Sequence, residues 1–315
     1  MNDIDIHPAD RVASVREYYL QRKMREVAQL NAAGADIISL GIGGPDMPPP
    51  QAAIDTLCSQ ARRPDTHGYQ LASGLPEMRR AFARWYGERF GVTLDADSEI
   101  MPLIGSKEGI MHISLTFLNP GDGVLLPNPG YPTYTSVSRL VGADIRYYGL
   151  LEDRGWTPDF DALEHADLSG VKIMWTNYPN MPTGAPASRE LFERLVDFGR
   201  RHNILIINDN PYSFILNDNP LSILSVPGAK DIAIEMNSLS KSHNMAGWRM
   251  GMLAAKAEYV AWIRRVKSNV DSGQFAPMMS AVTDALAVGD EWYAQLNATY
   301  AERRALVDRI ATALG

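Results

Sequence analysis

The chain has 315 residues, a formal charge of −7 and 45% apolar residues, enough for roughly two domains at about 150 residues each. Its 30 Lys and Arg are scattered among 37 Asp and Glu, which argues against nucleic acid or an anionic membrane surface as main partner. One cysteine, Cys58, leaves no disulfide framework and no thiolate metal site, and no apolar run reaches the roughly 18 residues of a membrane span.

The start, Met1-Asn2-Asp3-Ile4-Asp5, is acidic and lacks an apolar h-region, so no secretory signal is expected and the chain is read as cytoplasmic. From Arg11 to Ala33 the residues Val12, Val15, Tyr19, Met24 and Val27 recur near helical spacing, which predicts one long amphipathic helix. A loop rich in Gly and Pro, Gly41 to Pro50, precedes helices near Ala52–Gln60 and Leu75–Phe90. Short apolar strands then alternate with helices: Ile100–Ile104, Val124–Pro127, Asp144–Tyr148, Lys172–Thr176, Ile204–Asn208 and Ile232–Met236. That alternation implies βαβ units, hence an α/β fold whose mostly parallel sheet is flanked by helices on both faces. Helices Ala257–Asn269, Ala276–Val288 and Glu291–Leu314 close the chain. No linker or repeat is visible, so the domains are expected to share chain segments.

The chemistry clusters at the ends of those strands. In Ser238-Leu239-Ser240-Lys241 one lysine stands among small hydroxyl residues, with Arg249 eight positions on and no other lysine between Lys230 and Lys256. A lysine that forms a Schiff base needs close backbone approach, anion donors and low exposure, which drops its pKa. Gly105-Ser106-Lys107-Glu108-Gly109 turns into an apolar helix, Ile110 to Leu118, and reads as an anion site or a plain N-cap. Tyr131, in Asn128-Pro129-Gly130-Tyr131-Pro132, is either a loop tyrosine or a ring stacked on a flat cofactor. Asp209 ends the apolar run Ile204–Ile207; it is either a backbone-satisfied cap or the partner of a buried cation.

Taken together, Gly105-Ser106-Lys107, Pro129-Gly130-Tyr131-Pro132, Asn180-Met181-Pro182-Thr183-Gly184, Asp209-Asn210-Pro211-Tyr212 and Ser238…Lys241…Gly247-Trp248-Arg249-Met250-Gly251 resemble the class I/II aminotransferases from about Arg11 onward. The resemblance implies the pyridoxal 5′-phosphate (PLP) transferase fold, a seven-stranded sheet plus a smaller α/β domain. It implies transamination between an L-amino acid and a 2-oxo acid by a ping-pong mechanism. By position, Lys241 corresponds to the lysine that binds the cofactor as an imine and shuttles the substrate proton. Asp209 corresponds to the partner of the pyridinium nitrogen, Tyr212 to the phenol at the ring O3′ and Tyr131 to the stacking aromatic. Ser106, Lys107, Ser238, Ser240 and Arg249 correspond to the phosphate cradle, in which a guanidinium clamps bidentately. Tyr69 falls where family members reach the phosphate of the neighbouring subunit, which implies a homodimer with shared sites. Gly43 falls where backbone meets the substrate carboxylate. The implied division is an arm at 1–44, a large cofactor domain at 45–270 and the start of a small domain at 271–315.

Two departures stand out. Met181 occupies the position of the asparagine that normally bonds O3′, with Asn180 or Asn177 as alternative donors. The family also continues past the point where this chain stops, with an arginine that grips the substrate carboxylate. A shortened form is therefore expected, with an impaired remnant as one reading. A PLP lyase or synthase of the same fold shares these motifs; a transcription regulator would need an N-terminal winged helix. The six histidines show no metal-ligand spacing, so no metal is expected. Met245, Trp248, Met250 and Met252 are expected to pack beneath the lysine loop, His243 to be structural, and Arg303-Arg304 to form a solvated face.

Overall fold

Leu205, Ile206 and Ile207 follow one another in sequence, are all buried, and point alternately into two apolar cores. Ile173, Met174 and Trp175 repeat the pattern, as strands covered on both faces require. The computed structural model describes residues 5–41 and 43–315; the start at Met1–Ile4 and Ile42 of the glycine loop lie outside the described residues. The strands are β1 (Ile100–Ile104), β2 (Gly123–Asn128), β3 (Asp144–Gly149), β4 (Val171–Thr176), β5 (Leu205–Asp209), β6 (Ala233–Ser238) and β7 (Met250–Ala254). They form one sheet in the order β1-β7-β6-β5-β4-β2-β3. Strand β7 runs antiparallel to both neighbours, and the other pairings are parallel.

The helices are α1 (Asp10–Ala13), α2 (Tyr19–Ala32), α3 (Gln51–Ala61), α4 (Pro76–Phe90), α5 (Ser106–Phe117) and α6 (Pro132–Leu140), then α7 (Phe160–Glu164), α8 (Arg189–His202), α9 (Leu239–Ser242), α10 (Ala257–Lys267), α11 (Ala276–Leu286) and α12 (Asp290–Leu314). Ile110 and Ile113 of α5, Val137 of α6 and Ile263 of α10 cover one face with Leu103, Val124 and Ile207. Phe82 and Trp85 of α4, Leu195 and Phe198 of α8 and Val282 of α11 cover the other with Ile100, Met174 and Met252. Among the described residues no helix is long and apolar enough to cross a membrane.

Two expectations need correction. The single helix over Arg11–Ala33 is two, α1 and α2, parted at residues 14–18. The Ser14 hydroxyl donates to the Arg11 carbonyl at 2.7 Å, a local bond that competes with helix continuation. No residue of α2 is buried, so no packing overrides that break. Strand β7 is absent from the expected set because Met-Gly-Met-Leu-Ala has little β-branched character; Met250 and Met252 are core residues, but as strand residues. Arg303 and Arg304 are exposed, and Arg303 also forks onto Asp46 at 2.7 and 3.1 Å, tying α12 to the glycine loop.

One buried carboxylate fixes the strand ends. Glu235 of β6 accepts from Ser222 Oγ at 2.6 Å, the Ile223 N–H at 3.1 Å, Asn208 Nδ2 at 3.1 Å and Tyr86 OH at 3.0 Å. Asn208 in turn accepts the Tyr178 N–H at 3.1 Å, so β4, β5 and β6 are locked together one residue before Asp209.

Candidate active site

Ile104, Thr176, Asp209 and Ser238 are the last residues of β1, β4, β5 and β6, and β7 begins at the same edge, with Met250 opposite Ile104 and Gly251 opposite Ser238. Ligands of open α/β sheets bind beyond this carboxyl edge. Asp209 is 4% exposed. Its Oδ2 accepts from Tyr134 OH at 3.0 Å, while Oδ1 has no hydrogen-bond partner among the described residues. Burial pushes its carboxyl up to about 6, against the pull of the Tyr134 hydroxyl. A buried carboxylate left half-satisfied is costly unless a cation joins it.

Tyr134 is a site residue that the motifs did not reveal. It stacks on Trp175 (centroids 5.0 Å apart, 16° between planes), and Tyr131 meets it edge-on at 5.6 Å. Its signal was its place three residues after Tyr131, which puts both at the start of α6. Tyr212 lies close to Asp209, Tyr131 and Tyr18, and burial pushes its phenol up to about 12. Tyr18, also missed, enters from the segment between α1 and α2; Lys107 Nζ stands 4.4 Å above its ring.

Lys241 sits in the short helix α9, whose N-cap Ser238 accepts the Ser240 N–H at 3.2 Å through Oγ. Its Nζ donates to the Gly43 carbonyl at 3.2 Å. Burial first, and the Arg249 charge second, lower the pKa of this amine. The loop is held from behind by α12: Trp292 Nε1 donates to the Ser242 carbonyl at 2.9 Å, and Tyr293 OH meets His243 Nε2 at 3.2 Å. His243 is fully buried and pushed down to about 3, so it is a neutral packing group, as expected.

An anion cradle forms where β1 turns into α5. Gly105 has φ +70°, and a Cβ there would lie 2.0 Å from Arg249 Nη2, so only glycine lets the guanidinium approach. Arg249 donates to Ala246 O at 2.9 Å through Nη1 and is itself left-handed at φ +57°. A Cβ on Gly251 would meet Asn237 O at 2.8 Å and Ser106 N at 3.3 Å, so a second glycine brings β7 against the same turn. Free N–H groups and the positive end of the α5 dipole point outward here, with Ser106 and Lys107 as the first helical residues.

Elsewhere the structure redistributes the sequence candidates. The Asn180 carboxamide is committed within its own turn, donating to Asn177 O at 3.1 Å and accepting from Thr183 Oγ1 at 2.7 Å. Asn177 is likewise engaged, with Asp209 O at 2.6 Å and the Met181 N–H at 2.8 Å. Both side chains thus hold the turn that carries Met181. Tyr69 stands apart, 98% exposed. The carboxylates of Glu108 and Asp271 and the ring of His112 converge, but the ammonium of Lys267 already lies between the two acids as their shared cation.

The convergent residues fit PLP: a partnerless buried carboxylate oxygen for a pyridinium nitrogen, aromatic rings beside it, a lysine of lowered pKa, and a helix N-terminus with a guanidinium for a phosphate. A sequence model of the family Aminotransferase class I and II matches residues 35–314. The chain is 44% identical over 306 residues to an LL-diaminopimelate aminotransferase of Nitratidesulfovibrio vulgaris, covering 96% of this chain and 79% of that protein. Its backbone matches BacF of Bacillus subtilis with a TM-score of 0.91 at 34% identity, over 95% of this chain and 77% of that one. A mutant of Thermus thermophilus aspartate aminotransferase shares the fold, with a TM-score of 0.91 at 23% identity over 99% of this chain and 81% of that one. The chain belongs to the class I and II aminotransferases, PLP-dependent enzymes that move an amino group between an amino acid and a 2-oxo acid.

Proposed function

We propose that this aminotransferase takes LL-diaminopimelate as its amino donor and a 2-oxo acid as acceptor. The observation that carries this reading is identity of 44% and 42%, each sustained over 96% of the chain, to proteins named LL-diaminopimelate aminotransferase in Nitratidesulfovibrio vulgaris and Dehalococcoides mccartyi.

When bound, PLP supplies an electron sink for the pair left at the substrate Cα. Lys241 would hold the cofactor's aldehyde carbon, and its Nζ, when free, would take the substrate Cα proton and later return one. Burial and Arg249 lower the pKa of that amine, the direction both tasks need. Asp209 would hold the ring nitrogen protonated, and Tyr212 would bond O3′. Tyr131 and Tyr134 would lie beside the ring. Ser106, Lys107 through its N–H, Ser238, Ser240 and Arg249 would hold the phosphate, and the Gly43 backbone would meet the substrate carboxylate. Tyr69, so exposed in one chain, serves the site of a second copy, making a cytoplasmic homodimer with shared sites. In this reading 1–44 is an arm, 45–270 carries the cofactor and 271–315 opens the small domain.

The test is a half-reaction followed by absorbance with single amino acids. LL-diaminopimelate is expected to exceed aspartate, alanine and phenylalanine in kcat/KM by at least ~100-fold, the discrimination available to a site that pairs a distal polar group. Preference for one of the other three would overturn the assignment. Met181 leaves Tyr212 alone at O3′, so Met181→Asn is expected to add about 1 kcal/mol to cofactor binding, about fivefold in affinity. Titration of the cofactor-free chain with PLP measures this, and an unchanged or weaker affinity contradicts it.

A further inference from the structure

We propose that the buried ion cluster of Glu108, His112, Lys267 and Asp271 positions the phosphate cradle, so that its loss weakens binding of the phosphate in particular. This rests on the cradle assigned above. Lys267 is 2% exposed at the end of α10 and donates to both oxygens of Asp271, at 2.8 and 2.9 Å, and to Glu108 Oε1. His112 Nε2 meets the same Glu108 oxygen at 2.7 Å. The other oxygen of Glu108 accepts the backbone N–H of Ile104, the residue before Gly105. Glu108 therefore grips the turn that opens α5 from both sides, one bond to β1 and one to α10.

The cluster also reaches Arg249 of the cradle and the loop that bears Tyr69. Asp271 leads into a loop whose Gly273 N–H donates to Gln70 O at 2.8 Å, beside Tyr69. A Cβ at Gly273 would lie 2.2 Å from Leu71 O, so the two loops are in close contact. One residue later, Gln274 Nε2 donates to the backbone carbonyl of Arg249 at 2.7 Å. Ser106 and Lys107, Arg249, and the loop bearing Tyr69 thus share one anchor. Burial alone would raise the Glu108 carboxyl, but the bonds from His112 and Lys267 outweigh it and hold it charged, well below its ordinary range. Buried ion pairs add little net stability over apolar packing, yet they fix geometry, and here the geometry is that of an anion site.

The experiment compares PLP with pyridoxal, which lacks the phosphate, by titration of the cofactor-free full chain carrying Glu108→Gln or Gln274→Ala. Glu108→Gln is expected to weaken PLP at least tenfold and Gln274→Ala about threefold, with pyridoxal changed less than twofold. Gln274 is half-buried and carries no charge of the ion cluster, so its variant reports even if Glu108→Gln folds poorly. Equal weakening of both ligands, or of neither, overturns the proposal, because a purely structural cluster has no reason to act on the phosphate alone. Arg249→Leu serves as reference. If it erases the preference for PLP while the cluster variants leave it intact, the cradle stands and the anchor role falls; if Arg249→Leu leaves the preference intact, both fall.

Discussion

Asp209→Asn is expected to make the cofactor-free chain more stable and the enzyme far less active. Burial raises this carboxyl from its ordinary 3.8 to about 6, so the folded chain binds the proton more tightly than the unfolded chain does. The sign follows directly. The stability of the neutral form is fully present below about pH 4 and is lost as pH rises through about 6, an effect of about 3 kcal/mol. Asparagine keeps the neutral state at every pH. At pH 8 the cofactor-free variant should therefore unfold at higher temperature than the parent, by an amount that shrinks toward pH 5. With PLP bound the balance reverses, because the variant leaves a pyridinium nitrogen without its anion. Removing one partner of a buried pair costs about 3 kcal/mol or more, which is a loss of roughly 100-fold in transamination. Thermal unfolding at the two pH values and a single-turnover half-reaction measure the two arms. A variant less stable at pH 8, or one that keeps activity within tenfold, contradicts the role of Asp209.

Lys241→Ala carries the second large effect. It removes both the group that holds the cofactor and the base that moves the Cα proton, so activity should fall about 10⁴-fold, the upper range for a positioned general base. The visible band of the PLP-loaded protein that borohydride fixes should vanish with it. Added methylamine should recover part of the proton transfer, since it supplies an amine of the right basicity without the tether. Retention of the reducible band in the variant would show that another amine holds the cofactor.

The contrast between these residues and others shows what a sequence can disclose. Lys241, Asp209 and Ser106 could be picked out as candidates because each sits in a short motif at or just past the end of an expected strand, and such strands are legible from hydrophobic pattern; Arg249 was picked out by its spacing from Lys241. Tyr134 and Tyr18 were not, because their place at the site depends on how α6 and the segment before α2 lie in three dimensions. The Glu108–Lys267 pair joins residues 159 positions apart, and nothing local in either segment announces it. The break between α1 and α2 was missed for the opposite reason. A clear helical period was present, but with no residue of α2 buried the Ser14 side-chain bond decided the local conformation. Arg303 likewise gained its partner Asp46 through folding alone.

The most direct test is to reduce the PLP-loaded protein with borohydride, digest it, and locate the modified lysine by mass spectrometry. A phosphopyridoxyl group on the peptide that contains Lys241 is the expected result. The same group on Lys107, the other lysine near the cradle, or on no lysine at all, would contradict the account.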